Sequence, residues 1–252
     1  MVKIRKYTTD EFYEYLVWWK NKGSVVKATF LHHTATSQSS YKGLSTIEGF
    51  RKFHINVRKF RDIACNAYTA PDGAIYNARP PDNTNCACQA PETDSKGRPS
   101  VKWPVELYIL SKGDLGFHNK YGFGVETIGN YDVEDPKTSV AMQRSLDVLA
   151  MVHHIWNIPV EHCFFHRDVA NKTCPGSRVS REWVHNQLKE RLSDMSNGDV
   201  SAWAKFAVEE IINKGLMSRY ADGSFRGGDP VTREQLAVVL YRLIRSIEDK
   251  TK

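Results

Sequence analysis

Two histidines and a cysteine carry the chemistry open to this sequence. His166 is followed by Lys172 and Cys174, and the segment closes on Pro175 and Gly176. His32 stands far upstream, after the apolar run from Val25 to Leu31. Imidazole nitrogen and thiolate sulfur are the ligands that Zn²⁺ prefers. Three protein ligands leave the fourth coordination position to water, and one thiolate among them leaves a net positive charge that polarises it. Zinc lowers the pKa of such a water to roughly 7. Glu126 stands in a run of small and apolar residues from Gly122 to Asn130. It is the candidate general base, and Lys172 is the candidate partner for a developing oxyanion. Together these groups describe hydrolysis of an amide. The competing reading is a closed structural site, with His33, His162 or Cys163 as a fourth ligand. Alternation along an extended strand puts His32 on the face of Phe30 and His33 on the other, which favours His32 as the ligand.

The elements that must position these residues are legible from pattern. Thr8-Thr9-Asp10-Glu11 is a capping box opening a helix that stops near Gly23. Val25 to Leu31 reads as a buried strand with His32 at its carboxyl end, where ligands gather in open α/β sheets. Thr46 to Phe60 has helical spacing, with His54 on its face rather than at a metal. Asp62 to Ala70, the turn Pro71-Asp72-Gly73 and Ala74 to Tyr76 form a hairpin signature. Residues 80–104 read as a long irregular loop. Gly122 to Asn130 is the next strand, and Thr138 to Trp156 the longest helix, ended by Pro159. Val160 to Phe165 is a strand that presents His166. Ser180 caps a helix running to Leu192, with Trp183 and Leu188 inward.

The polar stretch 194–199 marks a linker, dividing a unit of residues 1–193 from one of 200–252. In the latter, Trp203, Phe206, Ala207, Ile211 and Ile212 form one helical stripe. Thr232-Arg233-Glu234-Gln235 opens another helix, with Leu236, Val239, Leu240, Leu243 and Ile247 on one face. A core of ~50 residues in two helices is marginal alone, so this unit is expected to lean on a partner, on oligomerisation or on the main domain.

The chain has 252 residues, 41% hydrophobic and 25% charged, an ordinary globular composition. No apolar run approaches the ~20 residues that span a bilayer. Met1 to Asp10 is polar, with no apolar core of a signal peptide, so a cytoplasmic origin is expected. Five cysteines without an export signal argue against a disulfide framework. Cys86 and Cys88 read as ordinary thiols. A net charge of +6 suits an anionic partner such as a cell-wall polymer. The basic residues are scattered among acids, which does not indicate nucleic acid.

At these residues the chain resembles the zinc amidases of the N-acetylmuramoyl-L-alanine amidase type, which include phage endolysins and the peptidoglycan recognition proteins. The resemblance covers roughly residues 25–190. It rests on His32-His33-Thr34-Ala35-Thr36, on Asp72-Gly73-Ala74-Ile75-Tyr76, on Gly124-Val125-Glu126-Thr127-Ile128-Gly129-Asn130, and on His166-Arg167-Asp168 with Lys172-Thr173-Cys174-Pro175-Gly176. It implies an α/β fold, a mixed central β-sheet flanked by helices, with a cleft that takes the peptidoglycan stem peptide. His32, His166 and Cys174 would hold Zn²⁺, Lys172 would meet the oxyanion, and Glu126 falls where several members carry a catalytic glutamate. His33, Asn66 and Tyr68 are expected to face the substrate. One departure is Cys65, which stands where many members carry a tyrosine. Either Glu126 takes over that role or Tyr68 substitutes by a local shift; Glu126 is favoured.

The small helical unit resembles one S-layer homology module, through Trp203, Ala207, Gly215, Tyr220 to Phe225 and Pro230 to Leu236. Such modules bind secondary cell-wall polymers, usually in sets of three. A single copy implies weak binding or several chains combining as a homo-oligomer. The leading expectation is a phage-type endolysin acting at the bacterial wall. The alternatives are a non-catalytic peptidoglycan-binding protein, against which Cys174 counts, and a cytosolic wall-recycling amidase, against which the anchoring tail counts.

Overall fold

The strand expected to deliver His32 begins three residues after its apolar run does, at Ala28 rather than Val25. In the computed structural model, which describes residues 3–82, 93–96, 99–197, 200 and 204–248, Val25 is exposed and the strand spans Ala28–His33. Cys86, Cys88 and Trp203 lie outside the described residues. Numbered along the chain, the strands are β1 (Lys6–Tyr7), β2 (Ala28–His33), β3 (Ala67–Thr69), β4 (Ile75–Asn77), β5 (Gly122–Thr127) and β6 (Cys163–Phe165). They form one sheet in the order β1-β4-β3-β5-β2-β6. β2 lies parallel between β5 and β6, and β3 runs parallel to β5. β4 and β1 add antiparallel at the far edge. The sheet is therefore mixed, as expected.

A parallel centre must be covered on both faces. On one side, α5 (Val140–Trp156) lies over threonines that alternate along the strands. Thr69 and Thr127 each bond the Ser145 hydroxyl at 2.6 Å, and Thr29 bonds His153 Nε2 at 2.8 Å. The opposite face presents Phe30, His32, Glu126 and Tyr68. There α2 (Leu44–Asn56) brings Ile47 and Phe50 onto Tyr68. Two short helices, α3 (Val105–Ser111) and α4 (Phe117–Tyr121), bring Leu107 and Phe117 onto Phe30 and Phe164. Neither is foreseen by the pattern, because each is too short to show helical periodicity.

The local signals account for several boundaries. α1 (Thr9–Asn21) opens with Thr8, whose hydroxyl accepts from Glu11 N while Glu11 Oε2 accepts from Thr8 N at 2.7 Å. Gly23 takes a positive φ of 87° just past its end. α2 stops at Asn56 rather than Phe60, and Lys59 is left-handed at φ 58°. The chain turns back there, so Phe60 stacks on His54 with centroids 5.6 Å apart. The strand before His166 is only Cys163–Phe165, since Val160–His162 is a 3₁₀ turn behind Pro159. α6 (Arg181–Asn197) extends into the stretch expected as a linker, and its inward residues are Val184 and Leu188, with Trp183 half-buried.

The chain divides into two compact units, Met1–Arg191 and Leu192–Lys252. The second contains α7 (Lys205–Asn213) and α8 (Arg233–Glu248). The second capping box is realised: Thr232 Oγ1 accepts from Gln235 N and Gln235 Oε1 from Thr232 N. Leu236, Leu240, Leu243 and Ile247 on α8 are exposed. Among the described residues, no helix is long and apolar enough to cross a membrane.

Candidate active site

β2 and β5 end side by side, with His32 opposite Glu126 in the register. β6 ends one residue before His166, on the other side of β2. Two parallel pairings thus place three polar side chains at the carboxyl ends of adjacent strands, where crevices form. Cys174 joins them on a loop that the backbone ties down. Cys174 O accepts from Arg167 N at 2.9 Å, and Cys174 Sγ lies 3.4 Å from His33 N. The Arg167 guanidinium donates to the carbonyls of Gly176 and Val179 at 2.9 and 2.6 Å. Asp168 accepts from Phe165 N and pairs with Arg181, fixing the turn that carries His166.

Gly176 closes this loop at φ 117°, and a Cβ there would sit 2.5 Å from the backbone carbon of Tyr131. Gly176→Ala therefore meets both a forbidden conformation and backbone that cannot yield, and is expected to cost about 1–3 kcal/mol. Thermal unfolding of the purified variant measures this; an unchanged midpoint contradicts the loop geometry.

His32, His166 and Cys174 each offer a ligand atom, and these atoms lie within 4.8 Å of one another. The two imidazoles are 4.7 Å apart between centroids, and Cys174 Sγ is 3.9 Å from His32 Nδ1. His32 Nε2 and His166 Nε2 are buried with no hydrogen-bond partner among the described residues. Buried polar atoms left unpaired are costly, and a coordinated cation removes that cost. Burial holds the His32 ring well below the ordinary histidine range, and the neighbouring His166 adds to this. Burial and the Lys172 charge push His166 down to about 4. Both rings are then neutral, the form that ligates. Burial and the nearby Glu126 push the Cys174 thiol upward, an ordering that a divalent cation inverts. The buried N, N, S donor set fits Zn²⁺.

These residues face a cavity of about 460 Å³, whose lining includes Glu126, Lys172 and Cys65. Burial raises the Glu126 carboxyl to about 7, against a hydrogen bond from Cys65. The Cys65 thiol donates to Glu126 Oε2 at 3.3 Å. His33 also lines the cavity, but its Nδ1 accepts from Tyr131 N at 3.2 Å and it stands outside the three-ligand group.

Two expectations are corrected. Asn66 and Tyr68 do not line the cavity. Asn66 Oδ1 accepts from Gly124 N at 2.7 Å and its amide donates to Arg79 O, so the side chain is consumed in tying β3 to β5. Tyr68 is fully buried beneath α2, stacked on Phe50 at 5.9 Å. Its burial keeps the ring off the cavity surface, although it pairs with Glu126 in the register of β3 and β5. Conversely, Phe53, His54, Arg58 and Phe60 form part of the cavity wall. Helical spacing hid them, because the chain reversal at Lys59 has no signal in that spacing. His54 is held by accepting from Ala64 N at 3.2 Å.

Residues 22–177 match the family model described as N-acetylmuramoyl-L-alanine amidase. The chain belongs to this family. Residues 198–237 match the S-layer homology domain. Within the amidase, the three-ligand group and Glu126 all fall inside the first matched span. The outer membrane protein SlpA of Thermus thermophilus is 41% identical over 61 residues, 24% of this chain. The match spans only 7% of that relative's length. Among solved structures, peptidoglycan recognition protein-LE in complex with tracheal cytotoxin is 26% identical, covering 64% of this chain and 79% of its own, with a TM-score of 0.45. The endolysin amidase LysCS of Clostridium intestinale is 20% identical, covering 66% of this chain and 86% of its own, with a TM-score of 0.42.

Proposed function

We propose that this amidase hydrolyses the amide between N-acetylmuramic acid and L-alanine in peptidoglycan, using zinc held by His32, His166 and Cys174. The observation that carries the reading is that two buried imidazoles and a buried thiol each bring a ligand atom within 4.8 Å of the others in one cleft. When bound, zinc supplies Lewis acidity and a water acidic enough to be deprotonated near neutrality. Glu126, as carboxylate, takes the proton from the attacking water and returns it to the leaving amine. Cys65 holds the Glu126 carboxyl in place through its thiol hydrogen bond. Lys172, at the cavity's exposed side, meets the negative charge that develops on the carbonyl oxygen. His33 stays on the wall, fixed by Tyr131, where it contacts the stem peptide.

Residues 1–193 are read as the catalytic domain, and 200–252 as a module that grips a secondary cell-wall polymer. The positive net charge favours such an anionic wall. The exposed apolar stripe of α8 supports pairing of this module with copies of itself. A wall hydrolase joined to a wall-binding module suits an endolysin.

The test is metal removal. The purified protein is expected to hold about one zinc per chain. A chelator should strip the metal and stop release of N-terminal L-alanine from purified wall, and added Zn²⁺ should restore it. Full activity in metal-free protein would refute the reading.

A further inference from the structure

We propose a second metal position in the same cleft, held by Cys65 and Glu126 beside His32, where excess Zn²⁺ or Cd²⁺ binds and blocks hydrolysis. The blocking effect rests on the hydrolytic reading above; the binding itself does not. His32, Cys65 and Glu126 each offer a ligand atom, and these atoms lie within 4.8 Å of one another. They form a group distinct from the one containing His166 and Cys174, with His32 common to both. Cys65 Sγ is already 3.3 Å from Glu126 Oε2. His32 is only 5% exposed, and its Nε2 has no hydrogen-bond partner among the described residues.

The backbone is arranged to aim this thiol. Cys65 adopts a left-handed conformation at φ 61°, which a residue with a Cβ avoids unless its surroundings impose it. Arg79 N holds the Cys65 carbonyl at 3.1 Å, and Asn66 N donates to Gly124 O at 2.8 Å on the other side. The sulfur is therefore directed at the Glu126 carboxyl.

A thiolate, a carboxylate and an imidazole suit zinc or cadmium and not magnesium or calcium, which favour oxygen alone. The two anions offset the cation's charge in a cleft where an unpaired charge would be costly. Binding releases two protons to solvent, one from the Cys65 thiol and one from the second ring nitrogen of His32, and moves no electrons. Waters complete the coordination. His32 turns Nδ1 toward Cys174, 3.9 Å from its sulfur, which leaves the unpaired Nε2 for the second ion. With its carboxylate on a cation, Glu126 cannot accept a proton from water, so the second ion silences the base without displacing the first.

The experiment is a Cd²⁺ titration of the metal-free full-length chain, read by equilibrium dialysis and by near-ultraviolet thiolate-to-metal absorption. The wild type should bind about two ions per chain in two absorbing steps, and Cys65→Ser about one. The step that survives in Cys65→Ser reports that the variant is folded, and Cys174→Ala should lose that step instead. Excess Zn²⁺ should slow wall hydrolysis by the wild type relative to stoichiometric Zn²⁺, and the ratio of the two rates should return to unity in Cys65→Ser. A Cys65→Ser chain that keeps both steps, or a wild type without the Cys65-dependent step, overturns the second position. Loss of the Cys174-dependent step alone would sink the catalytic set and leave this one standing.

Discussion

Replacing Cys174 with alanine is expected to remove amide hydrolysis while leaving the fold in place. The sulfur is one of three ligand atoms within 4.8 Å, and its loss leaves two imidazoles that cannot close a tight site. Partners that merely orient a ligand cost 10–100-fold on removal, so deleting a ligand should cost at least about a hundredfold. The loop itself has other anchors. Arg167 grips the carbonyls of Gly176 and Val179, and Cys174 contributes its backbone carbonyl, which alanine retains. Three measurements check the result: released L-alanine, bound zinc and the circular dichroism spectrum. Lost activity with lost zinc and a native spectrum is expected. Undiminished activity would remove Cys174 from the metal set.

Glu126→Gln is expected to behave differently, losing activity while keeping zinc. The amide has the shape of the carboxyl but cannot take a proton, and positioned general bases contribute roughly 10²–10⁴-fold. The pH dependence gives a second signature. Burial raises this carboxyl to about 7, so the proton stays on at mildly acidic pH and the base form appears as pH rises. A cation bound nearby favours the carboxylate and draws that transition lower. The acid limb of kcat/KM should therefore lie at or below about 7 in the wild type and vanish in Glu126→Gln. A variant that keeps the limb assigns it to another group. The zinc count separates the two variants, since only Cys174→Ala should lower it.

The candidate site residues are readable in the chain because their types are scarce and their surroundings local. His32, His166 and Cys174 converge at the strand ends, whereas His33 lines the same cavity with its Nδ1 turned to Tyr131 N, so alternation alone does not separate the two histidines. Capping residues such as Thr8 and Thr232 name their own partners three residues on, so the helix starts followed directly. What failed did so where contacts are made across the chain. Asn66 and Tyr68 were expected at the substrate because they neighbour Cys65. Their roles are decided by Gly124 and Arg79 in one case and by Phe50 in the other. The wall made by Phe53 to Phe60 depends on one left-handed residue, Lys59, which periodicity does not register.

By itself the sequence determined the candidate ligands, the candidate base and the two matched segments, because these depend on side-chain chemistry and on spacing along one segment. Only the tertiary structure decided which neighbours enter the cleft, and that Cys65 donates to Glu126. The physical reason is that a backbone reversal at φ 61° and a strand register are settled by packing between distant segments. No local pattern encodes which side of a sheet a helix will cover.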